Sequence, residues 1–69
     1  MLEYKLSDDG TILEVHESIL SFFDTKHSYW YYDIINWKCS SSGIKDSHLD
    51  REMDQGSIDW VKKYYLPKV

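Results

Sequence analysis

The sequence predicts a single small α+β domain spanning residues 1–69. In this fold, an N-terminal β-hairpin and an aromatic-rich third strand form a sheet on which a short helix and a C-terminal amphipathic helix pack. Three patterns support it: alternating side chains on both sides of an Asp-Gly turn, five of the eleven aromatic residues within positions 29–37, and helical spacing near the C-terminus. A chain of this length buries only about 60% of the surface that its unfolded form exposes, so the core is small.

The N-terminal hairpin is predicted from alternation and from turn chemistry. Apolar and charged residues alternate over residues 2–6, and apolar residues return over residues 11–15, after Asp9-Gly10. Glycine accepts the positive φ of a tight turn, and aspartate bonds to nearby backbone amides. The residues expected to face inward are Leu2, Tyr4, Leu6, Leu13 and Val15.

A short helix is predicted from His16 to Lys26, because the apolar spacing changes there from two residues to three or four. Glu17 near its start and Lys26 near its end suit the helix dipole. Phe22-Phe23 would also tolerate a strand. The apolar residues at helical spacing are Val15, Ile19, Phe22 and Phe23, with Leu20 beside them.

The segment Tyr29 to Cys39 is predicted to be the central strand, since β-branched and aromatic residues favour a half-buried pleated strand. A helix remains the alternative, because it would gather Trp30, Ile34 and Trp37 on one stripe. Asp33 interrupts the apolar pattern. A carboxylate there must face water, lie at a bulge, or serve as a polar anchor in an aromatic binding surface.

Two helical segments are expected after this strand. The first covers one or two turns from His48 to Gln55, because Ser47 begins a pattern like a capping box. The second runs from Ile58 to Leu66, with Ser57 as N-cap and Pro67 ending it. Its expected sheet-facing stripe consists of Ile58, Val61 and Tyr65, with Trp60 and Tyr64 along the edge.

The composition favours a folded protein with a net charge of −4. A cytoplasmic location is expected from the single cysteine and from the lack of a signal peptide. The acidic balance disfavours nucleic acid as a partner, and only Arg51 offers a guanidinium group to phosphate. Cys39 is the only cysteine, so no internal disulfide forms and we expect a reduced thiol. The first residues lack the apolar core of a signal peptide, and no apolar run reaches the roughly 18 residues of a membrane span.

No cofactor, metal site or catalytic residue is expected. The four potential zinc ligands are separated by eleven, twelve and nine positions, whereas structural zinc sites use short paired spacings. The alternating acidic run from Asp46 to Asp54 is not a calcium loop, since counting from Asp50 places Val61 where a glutamate is required. The four potential zinc ligands are His16, His27, Cys39 and His48.

The aromatic surplus predicts a non-catalytic protein-binding module, because residues with an apolar body and a polar tip are enriched where proteins dock. An inhibitor, an immunity-type protein or an adaptor would act this way, on a partner with a basic surface or on a second copy of the chain. The alternatives are stacking of single-stranded nucleic acid on the aromatic strand and a small enzyme. The candidate partner-binding residues are Tyr29, Trp30, Tyr32, Asp33, Trp37, Asp50, Glu52 and Asp54.

Overall fold

The computed structural model describes residues 1–69 as one antiparallel sheet followed by one C-terminal helix. The five strands lie side by side in the order in which they occur in the chain. Their bounds are Leu2–Leu6 for β1, Ile12–Leu20 for β2, Thr25–Asp33 for β3, Lys38–Cys39 for β4 and Arg51–Glu52 for β5. The helix, α1, comprises residues 55–68. This architecture agrees with the predicted α+β class.

The turn between β1 and β2 is organised by the carboxylate of Asp9. Its Oδ1 accepts hydrogen bonds from the Ser7 hydroxyl at 2.7 Å, from the Thr11 hydroxyl at 2.7 Å and from the Thr11 amide at 3.1 Å. The Ser7 and Thr11 bonds favour the charged form and lower the pKa of Asp9 to about 2. Gly10 follows with φ of 74°, a conformation that residues with a Cβ rarely adopt.

The predicted helix from His16 to Lys26 is wrong, because this segment forms a second hairpin. β2 and β3 pair over all nine residues of each strand, and residues 21–24 connect them. The apolar residues from His16 to Lys26 occur at spacings that fit either a helix or a strand. The pairing partner for β2 lies in β3, beyond the reach of local periodicity, and long-range pairing overrides local preference.

The aromatic segment Tyr29 to Cys39 contains a strand end, a turn and a second short strand. The central-strand prediction is right for residues 29–33, which belong to β3, the middle strand, and wrong for residues 34–37. Asp33 begins the turn, where its Oδ1 accepts hydrogen bonds from the Asn36 and Ile35 amides, each at 2.9 Å. These bonds lower the pKa of Asp33. Trp37 ends the turn with φ of 54°.

The predicted helical turns between His48 and Gln55 are also wrong. This segment is extended and contributes the short strand β5, which pairs with β4. Ser57 is not the N-cap, because the helix begins earlier and Asp54 caps it. The Asp54 carboxylate accepts a hydrogen bond from the Ser57 amide at 2.7 Å, which lowers the pKa of Asp54.

The helix α1 changes its winding along its length. It has α geometry over Gln55–Trp60 and π geometry over Val61–Tyr65, and it ends in a 3₁₀ turn over Leu66–Lys68. The wider winding brings the Leu66 amide to the Val61 carbonyl. Pro67 lies inside the final turn rather than beyond it. The burial agrees with the predicted stripe, because Val61 is buried and Ile58 and Tyr65 are half-buried. The edge residues Trp60 and Tyr64 are about half exposed and contact each other.

The core lies between α1 and one face of the sheet. Leu13, Val15 and Val61 are the only fully buried hydrophobic residues. Cross-strand pairing places Tyr4 and Trp30 on either side of Val15, on the face that α1 covers. We call the opposite side of the sheet the open face. The half-buried residues that pack around the core are Tyr4, Leu6, Trp30, Tyr32, Ile34, Trp37, Met53, Tyr65 and Leu66.

Candidate functional site

The end of the second hairpin is the most exposed apolar feature of the molecule. We call residues 19–24 the hairpin tip. Ser21 closes it, because its amide and its hydroxyl both donate to the Asp24 carbonyl, at 2.8 Å and 2.6 Å. Phe22 and Phe23 therefore lie at the apex, and neither has a positive φ.

Four large apolar side chains are exposed together at this tip. The exposed fraction is 54% for Ile19 and 83% for Leu20, and Phe22 and Phe23 are fully exposed. Single exposed hydrophobic residues are common on protein surfaces. Here four such residues lie within five positions of the chain, and concentrations of exposed apolar surface mark sites of interaction.

The hairpin tip also extends beyond the rest of the sheet. On one side, β1 ends where Met1 and Ser18 exchange two hydrogen bonds, at 2.8 Å and 2.9 Å. On the other side, the Gly43 carbonyl accepts from the Tyr29 amide at 2.8 Å. Residues 19–27 have no neighbouring strand outside the hairpin. At about 3.3 Å per residue, the tip projects roughly 10 Å past the last support from β1.

The open face carries a second cluster, centred on two histidines. The His16 Nε2 and His27 Nδ1 atoms are 2.8 Å apart, so one ring donates a hydrogen bond to the other. The His16 ring stacks on Tyr29 with centroids 4.3 Å apart and planes inclined by 6°. Glu3 lies 3.9 Å from His16, and Lys45 lies 5.4 Å from the Tyr29 ring centre. No group of three or more metal-ligating side chains converges.

Tyr31 ties the segment between β4 and β5 to the open face. Its hydroxyl accepts a hydrogen bond from the Asp46 amide at 2.9 Å and donates to Glu14 Oε1 at 3.3 Å. Burial raises the pKa of Tyr31. The hydroxyl is therefore a structural link rather than a free acid.

A groove of about 470 Å³ lies between β3, β5 and the beginning of α1. It brings together four of the predicted partner-binding residues, Trp30, Tyr32, Glu52 and Asp54. Half-exposed Trp60 lies at the same groove. Burial raises the pKa of Tyr32 to about 12, so its hydroxyl stays protonated.

The other predicted partner-binding residues lie apart from this groove. Tyr29 is on the open face, Asp33 bonds to its own turn, and Trp37 packs against the core. The carboxylate of Asp50 accepts the Ser41 hydroxyl at 2.9 Å and 3.1 Å.

Cys39 contributes to the lining of the groove as a free cysteine. Burial raises the pKa of its thiol, which disfavours the thiolate that nucleophilic chemistry uses. None of the chain's hydrogen bonds joins this cysteine to a histidine.

Sequence reasoning missed the hairpin tip because its apolar residues fitted a helix stripe. The available signal was Ser21 and Asp24 on either side of Phe22-Phe23, since serine and aspartate favour turns. That signal is weak without a glycine or asparagine. Four large hydrophobic side chains within five consecutive residues are normally interpreted as core.

Comparisons of this chain with protein-family models, with curated proteins and with solved structures found no match. The only helix, α1, has too few apolar residues in sequence to cross a membrane.

Proposed function

We propose that this protein is a small non-catalytic protein-binding module that docks its hairpin tip into an apolar pocket on a partner protein. The observation that carries this proposal is the complete exposure of Phe22 and Phe23 at the apex of a projecting hairpin. Exposed aromatic pairs oppose solubility, and the tip contributes nothing to the core. Binding gives these side chains a place to be buried.

The size of the tip suits an interface anchor. Burying one phenylalanine contributes about 1.5–3 kcal/mol, so the pair contributes roughly 3–6 kcal/mol before the costs of association. Binding energy in protein interfaces concentrates in a few such anchors. The Ser21–Asp24 hydrogen bonds hold the loop closed in advance, which reduces the entropy lost on binding.

The negative net charge of the chain favours a partner protein with a basic surface. The net charge of −4 speeds encounter with a basic protein surface. We assign the groove that holds Trp30, Tyr32, Glu52 and Asp54 as a second contact region, in which Arg51 lies beside the two carboxylates. A cytoplasmic location fits with the single free thiol of Cys39. An inhibitor, an immunity-type protein or an adaptor would each use such a surface.

The test removes the anchor without touching the core. A Phe22→Ser, Phe23→Ser double variant should fold like the wild type, because both side chains are fully exposed. The matched control is the double variant Ile35→Ser, Ile44→Ser, which removes two exposed apolar side chains outside the hairpin tip. Immobilised wild-type protein captures the partner from extracts of the cells that produce this chain, and mass spectrometry identifies it. The purified partner is then titrated with the wild type and with each variant by calorimetry.

We expect the tip variant to bind the purified partner at least about 100-fold more weakly than the wild type, and the control to bind normally. Equal weakening of both variants would mean that general surface hydrophobicity, rather than the tip, drives binding. Failure of the wild type to capture any protein would refute the proposal. Salt-sensitive binding of a single-stranded oligonucleotide would support the stacking alternative, for which the open face offers Tyr29 and His16.

A further inference from the structure

The outer edge of β1 has no neighbouring strand, since β1 is the first strand of the sheet. Odd-numbered residues from Met1 to Ser7 direct their backbone groups toward β2. This follows from the hydrogen bonds between Met1 and Ser18 and from the bond that the Ser7 amide donates to the Ile12 carbonyl. In an antiparallel ladder the intervening residues point their backbone groups the other way. The amides and carbonyls of Leu2, Tyr4 and Leu6 therefore lie along the free edge.

The sequence of β1 is symmetric about its centre in hydrophobicity and antisymmetric in charge. It reads Leu-Glu-Tyr-Lys-Leu. Leucines occupy both ends, and Glu3 and Lys5 lie at equal distances on either side of Tyr4. If this strand pairs antiparallel with an identical strand, it can meet opposite charges at both charged positions.

We infer that β1 pairs with β1 of a second copy of this chain, antiparallel and centred on Tyr4. Leu2 then lies opposite Leu6 of the other copy, and Tyr4 lies opposite Tyr4. These are the positions whose backbone groups are free, so the pairing forms a ladder of about six hydrogen bonds. Glu3 lies opposite Lys5 twice, in the pairs whose side chains approach most closely.

The charges select this register over its neighbours. A shift by one residue is excluded, because it would pair free backbone groups with groups already bonded to β2. A shift by two residues places either Glu3 opposite Glu3 or Lys5 opposite Lys5, and like charges directly opposite each other are destabilising. Only the register centred on Tyr4 combines full use of the free edge with opposite charges in both pairs.

The two faces of the sheet also match across this junction. Leu2, Tyr4 and Leu6 lie on the face that α1 covers, and Glu3 and Lys5 lie on the open face. A two-fold axis through the central pair keeps both helices on one side of a continuous ten-stranded sheet. Leu2, now 44% exposed, gains a leucine neighbour. The two hairpin tips point in opposite directions, so the dimer does not occupy them.

This inference is independent of the proposed function and is tested by charge exchange. Lys5→Glu creates two Glu–Glu pairs in a dimer, and Glu3→Lys creates two Lys–Lys pairs. Each variant should weaken dimerisation by at least about tenfold, measured by sedimentation velocity over a wide range of protein concentration. An equimolar mixture of the two variants should form heterodimers, and the double variant with both exchanges should dimerise like the wild type.

Each variant should still fold, because the Glu3 and Lys5 side chains are exposed, and circular dichroism melts check this. A wild type that sediments as a monomer at every concentration would overturn the inference. So would single variants that dimerise as well as the wild type. If Phe22→Ser, Phe23→Ser abolishes the dimer and the charge variants do not, the contact lies at the hairpin tip and the β1 assignment is wrong.

Discussion

Replacing Val61 with alanine tests how α1 docks on the sheet, because Val61 is the one residue that the helix contributes to the fully buried core. The substitution removes two methyl groups from a side chain that is only 1% exposed. Their transfer accounts for about 1.6 kcal/mol, and the cavity left behind adds about 1 kcal/mol. The higher helix propensity of alanine offsets about 0.5 kcal/mol. The net loss of unfolding free energy is therefore about 2 kcal/mol.

That loss is large for a domain of this size, whose total stability is about 3–10 kcal/mol. The melting temperature should fall by roughly 10–15 °C, as followed by circular dichroism. Val69→Ala is the matched control, since it makes the same chemical change at a residue that is 48% exposed. Its melting temperature should stay within a few degrees of the wild type. Equal shifts for the two variants would mean that Val61 does not face the sheet, and the docking of α1 would be refuted.

Two further predictions concern pH and metal ions. The pKa of Asp9 is about 2 in the fold, below its ordinary value of 3.8, so its stabilising effect is full above pH 4 and is lost as pH falls toward 2. Acid melts of Asp9→Asn should show a smaller drop over this range than the wild type. Asp8→Asn is the control, because the Asp8 carboxylate accepts no hydrogen bond. Identical acid curves for Asp9→Asn and the wild type would contradict the stabilising role of the Asp9 carboxylate. Chelators should leave the melting temperature unchanged, because no three metal-ligating side chains converge, whereas tight calorimetric binding of zinc or calcium would contradict this.

Local chemistry predicted the elements whose signals lie within a few residues of one another. The Asp9-Gly10 turn between alternating segments marked the position where β1 returns as β2, because the turn depends on one carboxylate and one positive φ. Helical spacing marked α1 and placed Val61 on its inner side. The N-cap was misplaced by three residues, because Ser57 and Asp54 are both good capping residues and only the geometry selects one.

The candidate site could not be predicted in the same way. Ile19, Phe22 and Phe23 were assigned to one stripe of a short helix with Leu20 beside it, and all four lie instead on a projecting hairpin. Trp30 and Tyr32 were predicted to contact a partner, which stays a prediction, and the structure places them in a groove beside the core. The hydrophobicity of a side chain indicates that its burial would be favourable. It does not indicate whether the fold has space to bury that side chain.

The amino-acid sequence was sufficient to predict the fold class, the first turn, the helical nature of the C-terminus and the charge pattern of β1, because each depends on the chemistry of neighbouring residues. The extension of β2 to Leu20 and the start of β3 at Thr25 became visible only in the folded chain. The reason is that strand pairing satisfies backbone groups between segments distant in sequence, and such pairing outweighs the weak local preference for a helix. The same pairing leaves Phe22 and Phe23 exposed at the apex, where no other part of the chain reaches them.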